Sequence, residues 1–474
     1  MNKDHVWVAV GSALFLAILL GVPDTLMPSP ASRVAAVAVL MAVLWISEAI
    51  PIPATALLPI VLFPVLGVMP VSETTANYAH HLVFLFLGGF WIAAAVERCG
   101  LHRRIALQVL RLVGSRADHI LLGFMAATAF LSMWLSNTAT TMMMLPIGLA
   151  VIARLGRDTQ SPFGRALMLG IAYAATIGGV ATLVGTPPNA VLAGIVEKTQ
   201  GLSISFGHWL LFGLPLSLLM LWVCWFYLSR INTRLRGLEL GQGGDTIRAE
   251  LDAIGRMTTA EHRVLAVFAV VALLWVFKGL APWPALQSLS DSTIAIAGAL
   301  ALFVIPAGNS MREGLLTWDA AARVHWDILI LFGGGFALAE GFQQSGLTEW
   351  IGQQLDFLVQ VHWLLLILVV AAVTLFLTEL TSNTATASML LPIVAGLAAA
   401  AGQDALQAMV ATALAASFAF MLPVATPPNA IVFASRQISI RQMAQAGIGM
   451  NLVGLVLITA FVSLLLPWAL TPGG

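Results

Sequence analysis

Ser136-Asn137-Thr138-Ala139-Thr140 recurs as Ser382-Asn383-Thr384-Ala385-Thr386, 246 residues further on. Each copy interrupts an apolar run in a chain that is 59% hydrophobic and only 9% charged, with a mean hydropathy of +0.93. A soluble domain carries roughly a quarter charged residues, so the chain is expected to be an all-α polytopic membrane protein of the lipid bilayer. Small polar residues at mid-membrane depth are costly unless they bind something. Two such loops facing one another can hold a small anion together with cations.

The interrupted runs are 120–155 and 361–399. Each arm is about 15 residues long, short of the roughly 20 a crossing needs, so both runs read as re-entrant hairpins. Arg103, Arg104, Arg111 and Arg116 precede the first, and Arg154, Arg157 and Arg165 follow it. By the positive-inside rule both of its ends are cytoplasmic. Between Arg323 and Arg436 there is no Lys or Arg, so both ends of the second are external. One hairpin entering from each side is the sign of an inverted-topology repeat. The same offset relates Phe90 to Phe336, Gly100-Leu101 to Gly346-Leu347 and Pro146 to Pro392. An offset of 240 relates Thr186-Pro187-Pro188-Asn189 to Thr426-Pro427-Pro428-Asn429. Internal duplication follows.

Eleven further runs are candidate spans: 6–22, 33–50, 52–69, 83–100, 164–183, 208–229, 263–281, 291–307, 326–345, 405–424 and 443–468. The first reads as a retained helix rather than a cleaved signal. The polar stretch 230–262 reads as a cytoplasmic linker between the repeats. The N-terminus is then inside and the C-terminus outside. Zero net charge gives no argument for nucleic acid, and Cys99 and Cys224 suit neither a disulfide nor a metal site.

Ser132 and Ser136 are spaced to share one helix face, and Thr378 and Ser382 repeat the spacing. Neutral oxygens from hydroxyls, Asn amides and freed carbonyls suit a monovalent cation such as Na+; Mg2+ or Ca2+ more often recruits carboxylates. Gly185-Thr186-Pro187-Pro188-Asn189 and Ala425-Thr426-Pro427-Pro428-Asn429 should break their helices, because proline lacks the donor and clashes with the preceding turn. The first helix should stop near Leu183 and resume near Asn189. Resumed helices present N-termini, which favour anions. In the bland alternative the hydroxyls merely bond their own helices and Asn and Pro mark ordinary turns; two tips and two breaks in register weigh against it. Other polar residues read as weaker candidates. Glu379 is either a proton-linked carboxylate or a partner of nearby hydroxyls, and its counterpart is Met133. Glu48 reads as structural or interfacial, His80 and His81 as external and non-catalytic, and Trp275, Trp283, Trp350 and Trp468 as interfacial anchors.

With the paired Ser-Asn-Thr tips, the Pro-Pro-Asn breaks and Glu48-Ala49-Ile50-Pro51, the whole chain resembles the divalent anion:sodium symporters, which carry di- and tricarboxylates or sulfate. The resemblance implies a homodimer with a scaffold and a transport domain that moves like an elevator. Scaffold helices would occupy 1–82 and 208–325. The transport repeats would occupy 83–207 (broken helix 164–197) and 326–442 (broken helix 405–436), with 443–474 a C-terminal helix. One sodium site would comprise Ser132, Ser136, Asn137 and Gly185, the other Thr378, Thr381, Asn383 and Ala425. Asn137, Thr138, Asn383 and Thr384 would meet the substrate carboxylates, with Thr186, Thr426 and Pro427 lining the site. Intact Ser-Asn-Thr copies favour carboxylates over sulfate.

The reading is a sodium-coupled C4-dicarboxylate symporter, not an enzyme, in a bacterial inner membrane. Its rivals are a sodium-independent exchanger, citrate or sulfate as substrate, an anion channel, and an intramembrane hydrolase, for which no Gly-x-Ser-x-Gly or His-Glu-x-x-His occurs.

Overall fold

The computed structural model describes residues 3–112, 116–154, 161–233, 235, 243–280, 288–308, 313–354 and 361–469. Among them the chain is helical, with one isolated bridge between Pro306 and Gly314 and no named strand. Among the described residues eight helices are long and apolar enough to cross a bilayer, and the shorter apolar ones include three of the four hairpin arms.

The first hairpin is Ala117–Ser132 and Asn137–Arg154; the second is Trp363–Thr378 and Asn383–Ala400. The arms match in length between the repeats, 16 and 18 residues in each. At 1.5 Å per residue the shorter arm reaches about 24 Å, less than the roughly 30 Å hydrocarbon core. Both interruptions fall where the sequence places them. Ser132 and Ser136 do not share a helix face, however. The helix ends at Ser132 and the next begins at Asn137, so the tip separates the two hydroxyls.

Both long helices after the hairpins are broken. Pro162–Val180 resumes as Pro187–Gln200, and Ala405–Ser417 resumes as Pro427–Ala434. Each stops earlier than the proline alone requires, because side chains take over the freed backbone groups. Asn189 Nδ2 donates to the carbonyls of Val180 and Thr182 at 3.3 and 2.8 Å. Asn429 Nδ2 donates to those of Ala419 and Leu422 at 3.2 and 3.0 Å. The asparagine of each motif thus ties the new helix to the frayed end of the old one.

The repeats interlock. Pro187–Gln200 packs against Asn383–Ala400 of the other half, and Pro427–Ala434 against Asn137–Arg154. Tyr173 adds a cross-repeat hydrogen bond, its hydroxyl donating to Phe420 O at 2.9 Å. This swap brings both tips and both breaks to one place.

Two more expectations change, for 52–69 and Trp275, and two short helices are added. The run 52–69 is two short helices, Ile52–Ala56 and Leu58–Val65, broken before Pro59. Leu101–Arg111 and Leu347–Gln354 are separate helices, each entered through a glycine with positive φ, Gly100 at 80° and Gly346 at 71°. A left-handed residue lets the chain turn sharply from span to connecting helix. Trp275 is no interfacial anchor: it is buried, donates to Asp291 O at 2.9 Å and stacks on Phe206. Trp350 is half-buried and donates to Leu26 O. Trp283 and the Trp468 side chain lie outside the described residues, as do Arg157 and most of 234–242.

Candidate functional site

A cavity of about 390 Å³ lies between the two tips and the two breaks. Ser136, Asn137 and Thr138 meet Ser382, Asn383 and Thr384 there, together with Gly185-Thr186-Pro187 and Ala425-Thr426-Pro427. All seven residues expected to contact substrate line it: Asn137, Thr138, Thr186, Asn383, Thr384, Thr426 and Pro427.

The backbone explains why these loops suit an anion. Asn137–Arg154, Asn383–Ala400, Pro187–Gln200 and Pro427–Ala434 all begin at the cavity wall. Thr186 and Thr426 precede the resumed helices in matching extended conformations, φ −142° in both. Helix N-termini offer unpaired N–H groups and the positive end of the dipole. No Lys or Arg is among the lining residues.

Behind each tip sits an oxygen cluster. Ser132 Oγ lies 2.6 Å from Asn137 Oδ1 and 2.7 Å from Ala175 O. Thr378 Oγ1 lies 2.7 Å from Asn383 Oδ1 and 2.8 Å from Ala416 O. A hydroxyl has one proton and here faces two acceptors, so each cluster is richer in lone pairs than in protons. Such a surplus is what a desolvated cation requires. Ser132 and Thr378 are fully buried. Asn137 Oδ1 and Gly185 O both face Gly179, where a built Cβ would lie 2.7 Å from the first and 3.0 Å from the second. Gly179 leaves room for that convergence.

Other expected ligands behave differently. Ser136 Oγ accepts from Ala139 N at 3.1 Å, capping its helix rather than joining the cluster. The Thr381 hydroxyl points away, to Leu377 O at 3.0 Å and Thr386 Oγ1 at 2.6 Å; its counterpart in the first repeat is Leu135. Ala425 lines the cavity through the second break.

Glu379 is settled by its partners, and they are not hydroxyls. Its carboxylate accepts from the N–H groups of Phe420, Met421 and Leu422 at 2.8, 2.9 and 3.0 Å, and from Asn451 Nδ2 at 2.7 Å. It holds the unwound segment 418–422. In the first repeat Thr182 performs the equivalent task, donating to Met133 O and accepting from Gly185 N at 3.0 Å.

His325 and Asp327, which the sequence does not single out, also line the cavity, and so does Glu48, expected to be structural or interfacial. Glu48 is presented by a left-handed turn, φ 51°, at the end of Ser29–Ser47. His325 Nδ1 lies 3.6 Å from Asp327 Oδ1, and that contact holds the imidazole pKa above its ordinary value against burial. A second hollow, lined by Glu97, Arg98, Arg323 and His325, adjoins at Ser136 and Thr138.

Residues 3–470 match the family described as the sodium:sulfate symporter transmembrane region. Two curated relatives are named sodium-dependent dicarboxylate transporter SdcS. The one from Staphylococcus saprophyticus is 44% identical, the alignment covering 98% of this chain and 93% of the relative. The one from Staphylococcus aureus (strain USA300) is 43% identical, with 98% and 91% covered. Among solved structures, the Neisseria gonorrhoeae MtrF antimetabolite efflux pump superposes with a TM-score of 0.59 at 13% identity, over 97% of both chains. The Alcanivorax borkumensis YdaH transporter gives 0.55 at 14%, over 84% of this chain and 89% of that one. These two show a shared fold.

Proposed function

Because this chain belongs to the family of the sodium:sulfate symporter transmembrane region, we propose that it is a sodium-coupled symporter of C4-dicarboxylates such as succinate, malate or fumarate. The observation that carries the reading is the pair of oxygen clusters, Ser132–Asn137–Ala175 and Thr378–Asn383–Ala416, flanking one cavity whose lining includes no Lys or Arg. The names of the SdcS relatives support both sodium and dicarboxylate.

Glu48 and Asp327 bring negative charge to the cavity wall, which opposes a dianion. Sodium in the two clusters offsets that charge and orders the tips, so the anion binds well after the cations. Two ions at the clusters and one dianion form a load of low net charge, which crosses a low-dielectric region at lower cost. Each favours the state the other binds, and coupling is reciprocal. Thr138, Thr384, Thr186 and Thr426 are positioned to donate to the carboxylates, with the helix N-termini behind them. A carrier rather than an enzyme is the reading that family membership supports.

Packing supports a division into two bodies, with the boundary drawn differently from the sequence-based one. His81–Arg98 packs on Asp291–Val304, and Trp326–Gln344 on Ile52–Ala56 and Ser29–Ser47 and, across the boundary, on Pro187–Gln200 and Asn383–Ala400. Pro162–Val180 packs instead on both arms of the first hairpin and on Phe206–Phe226; Trp363–Thr378 packs on Ala405–Ser417 and Ile440–Leu464. The moving body then comprises the hairpins, the broken helices, Phe206–Phe226 and Ile440–Leu464. Where it meets the scaffold, glycines face bulk: a Cβ on Gly194 would meet the Phe336 ring at 2.2 Å. We place the carrier in a bacterial inner membrane as a homodimer, N-terminus inside and C-terminus outside.

The test is labelled succinate uptake into proteoliposomes with an inward sodium gradient, with potassium instead, or with internal succinate preloaded. Sodium-driven accumulation above the external concentration is expected. Uptake that needs only internal anion would overturn sodium coupling in favour of exchange.

A further inference from the structure

We infer that His80, His81 and Glu197 form a zinc-type metal site on the external face, bridging the scaffold to the moving body. His81 Nε2 lies 2.8 Å from Glu197 Oε2, and His80 Nε2 lies 4.0 Å from the same oxygen. One donor atom from each of the three residues falls within 4.8 Å of the others, a spacing one small ion can span with bonds of about 2.0–2.2 Å. Two imidazoles and a carboxylate, with a fourth position open to water, are a donor set that borderline transition ions such as Zn2+ prefer. The imidazole rings are 4.5 Å apart and the His80 ring rests 5.0 Å from Phe336, which fixes one wall of the site.

The positive charge next to the site is partly offset by an acidic partner. Lys198, beside Glu197, is paired with Glu340 at 2.8 Å. The site gives up two hydrogen bonds: His81 Nε2 to Glu197 Oε2 at 2.8 Å, whose place the ion takes, and His80 Nδ1 from Leu82 N at 3.4 Å, because metal at Nε2 requires the ring proton at Nδ1. Side-chain exposures of 14%, 44% and 33% for His80, His81 and Glu197 leave the donors accessible from solution.

The three residues come from two elements 116 positions apart in the chain. His80 and His81 open the span His81–Arg98, whose Arg98 end is cytoplasmic, so they lie outside. Glu197 is in the last turn of Pro187–Gln200, the resumed helix whose first turn lines the cavity. An ion held here ties that helix to the scaffold and arrests the cycle in the present conformation. The arrest rests on the transport reading; the site itself does not.

The test uses the full chain without an affinity tag, in detergent. Titration with Co2+, read by the visible band of four-coordinate cobalt and followed by Zn2+ competition, should show one site per chain. Glu197→Gln, which retains a hydrogen-bond acceptor for His81, and His81→Asn should each weaken it at least roughly tenfold. His262→Asn, an imidazole elsewhere, should leave it unchanged. Matching melting temperatures without metal establish that the variants fold. Absence of the cobalt band, or equal affinity in Glu197→Gln and His81→Asn, overturns the site. External Zn2+ should also slow uptake in vesicles, and Glu197→Gln should resist it. Zinc binding without slowed uptake overturns the arrest and leaves the site; no uptake under any condition overturns the transport reading, while the cobalt titration still decides the site.

Discussion

Thr378 Oγ1 stands 2.7 Å from Asn383 Oδ1, and in the other repeat Ser132 Oγ stands 2.6 Å from Asn137 Oδ1. The backbone completes each cluster from a third element, at Ala416 and Ala175. Replacing Thr378 by Val, or Ser132 by Ala, removes one oxygen and leaves the two remaining acceptors facing each other without a proton between them. We expect the sodium concentration for half-maximal uptake to rise roughly tenfold, about 1.4 kcal/mol, with a smaller change in maximal rate at saturating sodium. Asn383→Ala removes the shared amide and should abolish uptake.

Thr381 is the internal control. Its hydroxyl bonds Leu377 and Thr386 rather than the cluster, so Thr381→Val should lower melting temperature modestly and leave the sodium dependence where it was. A sodium shift as large as that of Thr378→Val would show that the two threonines act together.

Glu379 lies next to Thr378 in sequence, yet its contacts run to 420–422 and 451. Glu379→Gln exchanges an acceptor oxygen for a donor against N–H groups, leaving buried donors unmatched at a cost of about 1–3 kcal/mol. Reduced thermal stability and reduced uptake are expected at every sodium concentration. Loss confined to low sodium would instead place the carboxylate in ion binding.

That contrast shows where the sequence is readable. Repeated motifs survive because both halves obey the same local chemistry: a proline pair breaks a helix whatever surrounds it, and Asn189 and Asn429 bridge only the break itself. Glu379 has no such local signature. Its role depends on an unwound segment 41 residues away and on Asn451 from a third helix. The place of Glu48 in the cavity, and the His325–Asp327 pair altogether, could not be read for the same reason, since each reaches the cavity only once distant helices pack. Leu101–Arg111 was legible in principle from its apolar spacing, and it is Arg104 that anchors it, buried against Glu261 at 2.6 Å.

The asparagine bridges predict a purely structural effect. Asn429→Ala removes two hydrogen bonds to the carbonyls of Ala419 and Leu422 and leaves them in an unwound, buried stretch. A loss of about 1–3 kcal/mol is expected, read as a lower melting temperature. Asn189→Ala should act alike, because its bonds to Val180 and Thr182 are equivalent. Unequal losses would mean that the other supports of the two breaks, Thr182 in the first and Glu379 in the second, hold them to different extents.

His325 gives the cavity mouth its pH dependence. Asp327 raises the imidazole pKa, burial opposes that, and Glu97 adds to the increase. With the folded value above the ordinary 6.5, the charge and the pair's stabilisation are fully present below that value. Both are lost as pH rises through the folded pKa. The side chains are 48% and 59% exposed, so solvent screening keeps the stability effect small; the charge facing an arriving anion is what changes. Fumarate, with both carboxyls ionised throughout, separates carrier from substrate titration. Between about pH 6 and about pH 8.5 the apparent fumarate affinity should fall by a few-fold in the native protein. In His325→Asn it should be flat across that range and resemble the native value at high pH. An unchanged pH profile in the variant would assign the titration to another group.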